Sequence, residues 1–192
     1  MIFTEPKWKS YIVTSKTPVF TPAQCEDIIR VGKSLPQEDA ATGDGAKGKK
    51  DYKVRKTDIA WIPFNRMPEM YKTLEMWGTK VNNNHFGFDG IQIGEMAQFT
   101  QYSQRHHYDW HSDSPYVFSN EPPVRKLTMV TMLSNPKDFK GGELQIINNK
   151  QTLSLKQGYA IFFASFIAHR VLPIKKGTRI SMPIWFTGPS LK

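Results

Sequence analysis

The 192-residue chain has a single cysteine, Cys25, so it can form no disulfide of its own. No apolar run approaches the roughly 20 residues that a membrane-spanning helix needs. The opening Met1-Ile2-Phe3-Thr4-Glu5-Pro6 lacks the basic stretch and continuous apolar segment of a secretory signal. From these absences a cytoplasmic protein in a reducing compartment, with no membrane partner, is expected. Cys25 stands in Thr21-Pro22-Ala23-Gln24-Cys25-Glu26, the opening of a helix, where a buried structural thiol is expected rather than a nucleophile. There is no internal repeat and no low-complexity tract. Acidic residues are also scarce: 17 against 26 Lys and Arg, for a net charge of +9. Such a balance invites a nucleic-acid partner, but the distribution argues against it. Residues 47–56 hold six of the 26 basic residues in a glycine-rich loop and the rest are scattered, which suits a solvated surface or an acidic protein partner.

What is present fits a soluble globular protein with one sizeable core: 39% hydrophobic and 12% aromatic residues in a single domain spanning 1–192. The first 89 residues read as a helical support region. Thr21-Pro22 followed by residues 23–33 carries an N-cap, a proline at the first helical position and an apolar face of Cys25, Ile28, Ile29 and Val31. Residues 67–82 place Met70, Leu74, Trp77 and Val81 at helical spacing, and residues 57–63 form a short strand. Residues 37–51 form a polar loop or lid.

From residue 90 to 188 short strand candidates follow one another: 91–102, 107–111, 126–134, 143–148, 152–155, 159–165, 169–173 and 179–187. Turn signals such as Gly141-Gly142, Asn148-Asn149 and Lys176-Gly177 separate them. The expected fold class is mainly β with flanking helices (α+β), the strands forming a sandwich or jelly roll.

Chemistry concentrates in this strand region. Residues at i and i+2 of a strand share a face, so His111 and Asp113 can reach one metal. His169 opens the seventh strand, which in a jelly roll can lie beside the second. Two neutral nitrogen donors and one anionic oxygen, with positions left open, suit non-haem Fe(II). Alternation along Arg179-Ile180-Ser181-Met182-Pro183-Ile184-Trp185 puts Arg179, Ser181 and Trp185 on one face and Ile180, Met182 and Ile184 on the other. An arginine facing the interior calls for an anionic ligand, and a carboxylate suits its bidentate geometry. Each residue alone has a plainer reading: His169 as a structural histidine, Arg179 as a surface charge. His106 reads as loop and His85 as a residue at a helix end.

The run Tyr102-Ser103-Gln104-Arg105-His106-His107-Tyr108-Asp109-Trp110-His111-Ser112-Asp113 resembles the Tyr-x5-Tyr-x2-His-x-Asp segment of prolyl-4-hydroxylase-like 2-oxoglutarate/Fe(II) dioxygenases. Gly141-Gly142-Glu143-Leu144 is similar to a turn of their bacterial and phage members. His169-Arg170-Val171-Leu172-Pro173-Ile174-Lys175-Lys176-Gly177-Thr178-Arg179 resembles their distal His-x3-Pro-x3-Gly-x-Arg segment. The resemblance spans residues 90–188 and implies a double-stranded β-helix, a cupin-like barrel. It also implies Fe(II) on His111, Asp113 and His169, with Arg179, Tyr102, Ser181 and Thr131 around 2-oxoglutarate. Tyr108 and Trp185 would line the substrate pocket, and barrel packing is the plainer role for these two and for Tyr102.

The implied reaction consumes 2-oxoglutarate and O2, releases succinate and CO2, and hydroxylates a C–H bond, first of all in a prolyl residue of a peptide or protein. Ascorbate is the implied accessory reductant. Lysyl or free amino-acid hydroxylation are alternatives. So is a nucleic-acid demethylase resembling the AlkB group, although its second arginine, six residues after the first, is Trp185 here. A barrel that binds without turnover is a further rival. The loops 37–51 and 114–124, the latter with Tyr116, Phe118 and Pro122-Pro123, are expected to shape substrate choice. Oligomeric state is not legible.

Overall fold

The computed structural model describes residues 10–40, 50–114, 123–146 and 152–190. The opening residues 1–6, residues 41–49 of the glycine-rich loop, residues 115–122 with Tyr116 and Phe118, and the Asn148-Asn149 turn lie outside the described residues.

In chain order the described elements are β1 (Ile12–Thr14), α1 (Pro22–Ser34), β2 (Glu38–Asp39), β3 (Arg55–Lys56), β4 (Asp58–Ile62), α2 (Pro68–Val81), β5 (Gln92–Ile93), β6 (Ala97–Tyr102), β7 (His107–His111) and β8 (Val124–Met132). They continue with β9 (Phe139–Gly141), β10 (Leu144–Ile146), β11 (Thr152–Leu153), β12 (Ala160–Ala164), β13 (His169–Val171), β14 (Ile174–Gly177) and β15 (Arg179–Gly188). All strand pairs described are antiparallel.

One sheet runs β1-β12-β8-β15-β6-β4-β2 with β5 also on β15, a second runs β11-β10-β13-β7-β3, and β14 pairs with β9 apart from both. The expected jelly roll is therefore present, but the first 89 residues are more than helical support. They contribute β1 to one edge of the large sheet, β2 and β4 to its other edge, and β3 to the edge of the second sheet.

Both helices form where the sequence places them. Thr21 and Gln24 make a capping box at the start of α1, with Pro22 in the first turn. After α2 the chain winds through a π turn at Asn82–Phe86, containing His85, and Gly87 stops it at φ 68°. The helices cover the outer face of the large sheet. Ile28 and Leu74 share a core with Leu127, Met129, Ile184 and Phe186. Cys25 belongs to this layer, and burial pushes its thiol up to about 12, which leaves it inert.

The sheet's inner face, with Val130, Met132, Ile161 and Phe163, packs on Leu144, Ile146, Val171 and Ile174 to form a second core. The barrel interior lies between the sheets.

The helices approach the large sheet closely. A Cβ on Gly78 would fall 2.0 Å from the Phe186 ring, and one on Gly32 2.3 Å from that of Phe99. Alanine suits a helix better than glycine by about 1 kcal/mol, whereas overpacking a filled core costs about 1–3 kcal/mol. Gly78→Ala is therefore expected to destabilise the protein by up to about 2 kcal/mol, read as a lower urea midpoint at unchanged slope. A rise in the midpoint would show that the helix–sheet contact has slack.

Candidate metal and anion site

Side-chain alternation along β15 decides what faces inward. Arg179, Ser181, Pro183 and Trp185 line a cavity of about 800 Å³, while Ile180, Met182, Ile184 and Phe186 enter the helix-side core. The neighbouring β6 contributes Gln98, Thr100 and Tyr102 to the cavity, and β8 contributes Val130. His111, Asp113 and His169 lie in the same cavity.

β13 lies beside β7 with His169 directly opposite His111, and the register shifts between His169 and Val171. The irregularity has a consequence for the side chains. Strict alternation would send Tyr108 and His111 to opposite faces, yet both line the cavity, their rings stacked 3.4 Å apart. Asp113 stands just past the end of β7. Its backbone N–H donates to the Ser165 carbonyl at 2.9 Å, which holds its carboxylate in reach of both imidazoles.

The donor atoms of His111, Asp113 and His169 all lie within 4.8 Å of one another. His111 Nε2 is 3.8 Å from Asp113 Oδ1, and His169 Nε2 is 3.7 Å from Oδ2. His111 Nδ1 lies 2.8 Å from the Asp109 carbonyl and His169 Nδ1 lies 3.0 Å from the Ile167 carbonyl. A carbonyl can only accept, so each Nδ1 carries a proton, and in the neutral imidazole Nε2 keeps its lone pair for a metal. Two such nitrogens and one carboxylate form a donor set that fits Fe(II).

The protonation states agree. Burial, reinforced by the nearby His169, pushes the His111 pKa down to about 3, so its imidazole is neutral at physiological pH. Burial alone would raise the Asp113 pKa, but His169, His111, the Thr128 hydroxyl and Trp185 together bring it below the ordinary carboxylate value.

A pH dependence follows for the metal-free protein. An unfolded histidine takes its proton near 6.5, whereas folded His111 takes it only near 3. Between those values the unfolded state binds the extra proton, so stability falls as pH drops, by at most about 1.4 kcal/mol per pH unit. Asp113 has its folded pKa depressed, so its contribution is lost only below the ordinary carboxylate range. Urea midpoints between pH 7 and pH 5 are expected to decline in the wild type and to flatten in His111→Asn. Equal slopes in both proteins would refute a buried, neutral His111.

Arg179 is 2% exposed. Its Nη1 donates to Ser181 Oγ at 2.8 Å, its guanidinium lies 5.5 Å from the centre of the Tyr102 ring, and its Nε has no partner. No carboxylate within 4.0 Å neutralises it among the described residues, and burial lowers its pKa. An orphaned buried cation beside an open cavity fits a carboxylate ligand. The Gly141-Gly142 turn makes room for it: Gly142 has φ 71°, and a Cβ there would lie 2.3 Å from Ile174 Cδ1 and 2.9 Å from Arg179 Cδ. Burial raises the pKa of Tyr102 and of Tyr108, so both keep their protons.

One expected site residue is placed elsewhere. Thr131 shares the phase of Leu127, Met129 and Leu133, which pack in the helix-side core, and it does not line the cavity. Its inward-facing counterpart is Thr128, whose hydroxyl donates to Asp113 Oδ2 at 2.7 Å. Strand phase alone would have exposed the difference.

Other cavity residues escaped the sequence reading. Arg125 forms a two-pronged ion pair with Glu95, and its guanidinium lies 3.8 Å from the centre of the Trp185 ring. Trp61 meets Trp185 at 6.2 Å and donates its indole N–H to Glu38. Arg55 lies over the Tyr108 ring at 4.4 Å, so part of the basic run 47–56 forms a wall of the cavity. These partners are far apart in sequence, and only the two-residue β3 signals Arg55. His106 and His107 remain outside the cavity; His106 faces Asp58 at 3.9 Å.

A double-stranded β-helix thus carries two histidines, a carboxylate and a buried arginine in one cavity. The family model of the 2OG-Fe(II) oxygenase superfamily matches residues 97–187. The match takes in His111, Asp113, His169 and Arg179 and spans just under half of the chain.

A PKHD-type hydroxylase of Prochlorococcus marinus (strain NATL2A) is 37% identical over 85 residues, covering 43% of this chain and 37% of that protein. Another, from Alteromonas mediterranea, is 33% identical over 92 residues, covering 45% and 41%. The chain thus spans about two-fifths of the length of the curated relatives it matches.

Among solved structures, the viral collagen prolyl hydroxylase of Paramecium Bursaria Chlorella virus-1, in its 2OG complex, superposes with a TM-score of 0.72 at 20% identity, covering 93% of this chain and 97% of that one. A Pseudomonas putida prolyl-4-hydroxylase gives 0.68 at 16%, covering 92% of each. The fold is shared with these enzymes.

Proposed function

We propose that the protein is a 2-oxoglutarate- and Fe(II)-dependent dioxygenase that hydroxylates a C–H bond of a prolyl residue in a peptide or protein, releasing succinate and CO2. The observation that carries this reading is the pairing, in one cavity, of two histidines whose Nδ1 protons are tied to backbone carbonyls with a buried arginine that lacks a counter-ion.

In this reading His111, Asp113 and His169 hold Fe(II). Arg179 and Ser181 hold the distal carboxylate of 2-oxoglutarate, with Tyr102 beside it. When bound, iron, 2-oxoglutarate and O2 supply the oxidising power for C–H hydroxylation, and ascorbate serves as an accessory reductant. The chain's own residues do the rest. The locked tautomers present nitrogen lone pairs without a competing proton. Val130, Leu144 and Val171 wall the interior beside Arg179 and limit water there.

A peptide substrate is supported by the extent of the cavity, which continues past Tyr108, Trp185 and Trp61 to Glu38 and Asp39. Aromatic faces suit a prolyl ring. A solved prolyl hydroxylase from Trichoplax adhaerens with the same fold (TM-score 0.65, 17% identity) carries a peptide fragment of a hypoxia inducible factor oxygen degradation domain. The single-domain reading over residues 1–192 belongs to the same proposal, with β1–β4 completing both sheets.

Anaerobic titration with Fe(II) and then 2-oxoglutarate is expected to produce a weak visible charge-transfer band. Its absence would overturn the metal and co-substrate assignment. Proline-containing peptides, lysine-containing peptides and free proline are then compared for coupled succinate formation and gain of one oxygen. Oxygen incorporation confined to lysyl peptides or free amino acids would overturn the prolyl assignment alone.

A further inference from the structure

Asp113 has two carboxylate oxygens, and their surroundings differ. Oδ2 accepts a hydrogen bond of 2.7 Å from Thr128 Oγ1, and Thr128 Oγ1 lies 2.9 Å from Ser165 Oγ. Thr128 and Ser165 are both fully buried, on β8 and just past β12, so bulk water cannot take over either hydroxyl's role.

An ionised carboxylate only accepts, so the Thr128 proton points at Asp113. A hydroxyl has one proton, so Thr128 must accept from Ser165. The chain of donors runs one way: Ser165 to Thr128 to Asp113. Ser165 grips the same segment a second time, because its carbonyl accepts from the backbone N–H groups of Asp113 and Ser114 at 2.9 and 3.0 Å. Backbone and carboxylate of this ligand are thus both referred to one residue that follows a strand of the other sheet.

We infer that Thr128, steered by Ser165, is a positioning residue that reserves Oδ2 of Asp113 and leaves Oδ1 to bind the metal alone. The inference rests on the metal-centre reading above. Without the hydroxyl the carboxylate can rotate and offer both oxygens, which raises the coordination number and alters the site's geometry. Partners that orient metal ligands typically change metal affinity by about 10–100-fold.

The test uses Co(II) as the probe with the 192-residue chain under nitrogen, following affinity and the visible d–d absorption. Thr128→Val, which keeps the shape and removes the hydroxyl, is expected to weaken Co(II) binding by about 10–100-fold and to lower the d–d intensity as coordination number rises. Thr128→Ser is expected to restore both. Ser165→Ala keeps the backbone grip and removes only the terminal donor. It is expected to shift both readouts in the same direction by less, and it carries the test if Thr128→Val does not fold.

Wild-type affinity and an unchanged spectrum in a folded Thr128→Val or Ser165→Ala protein would overturn the inference alone. If the wild type binds no Co(II), or His169→Ala binds it as tightly, the metal-centre reading falls and the inference with it.

Discussion

Asp113→Ala is expected to abolish Fe(II)-dependent succinate formation and to weaken metal binding by more than about 100-fold, beyond what loss of a supporting partner costs. The substitution removes the single anionic donor and leaves two neutral imidazoles. It spares the local backbone, because the hydrogen bond from residue 113 to the Ser165 carbonyl uses the main chain. His111 and His169 also keep the carbonyl partners that fix their tautomers.

The variant therefore separates ligand loss from misfolding. A preserved metal-free unfolding transition with no turnover supports the assignment. Near-normal turnover would sink it, since no other histidine, cysteine or acidic residue among the described residues joins the cluster.

Features carried by local periodicity were legible in the sequence. The cap of α1, the helical apolar faces and the in–out alternation of β15 depend on neighbours within a few residues, and all three appear as the sequence implies. The placement of His111 and Asp113 on one face was reached by strand phase, but Asp113 lies past the strand end and is held by Ser165, more than fifty residues away. The two-residue strands β2 and β3 were not legible, because an element that short has no period and exists only through its partners β4 and β7.

The inward position of Tyr108 depends on a register shift against β13, which a single-strand pattern cannot show. The resemblance implies Thr131 at the co-substrate, whereas strand phase puts it with Leu127 and Met129. The Glu95–Arg125–Trp185 and Ser165–Thr128–Asp113 chains join residues from separate strands, so they emerge only when the sheets close.

Arg179→Met is expected to move two measurements in opposite directions. In the ligand-free protein the guanidinium is buried with one hydrogen bond to Ser181, an aromatic ring nearby and an orphaned Nε. A buried charge without a counter-ion is destabilising, and an apolar side chain of similar length removes that cost. The ligand-free variant should therefore be as stable as the wild type or more so, by up to about 3 kcal/mol.

With metal and 2-oxoglutarate present the order reverses. Removing one partner of a buried charge pair costs about 2–5 kcal/mol of binding, a loss of roughly 30-fold to several thousand-fold in affinity. At a 2-oxoglutarate concentration 100 times its wild-type Kd, the wild type gains about 2.7 kcal/mol of stability. A variant weakened 100-fold gains only about 0.4 kcal/mol under the same conditions. Thermal or urea unfolding with and without 2-oxoglutarate reads both effects, while Co(II) binding should persist because Arg179 is not a donor.

A ligand-free variant that is less stable, yet still stabilised by 2-oxoglutarate like the wild type, would show that Arg179 serves packing rather than the anion. The opposite pair of shifts would show that the fold sacrifices stability at this position to keep a cation ready for a carboxylate.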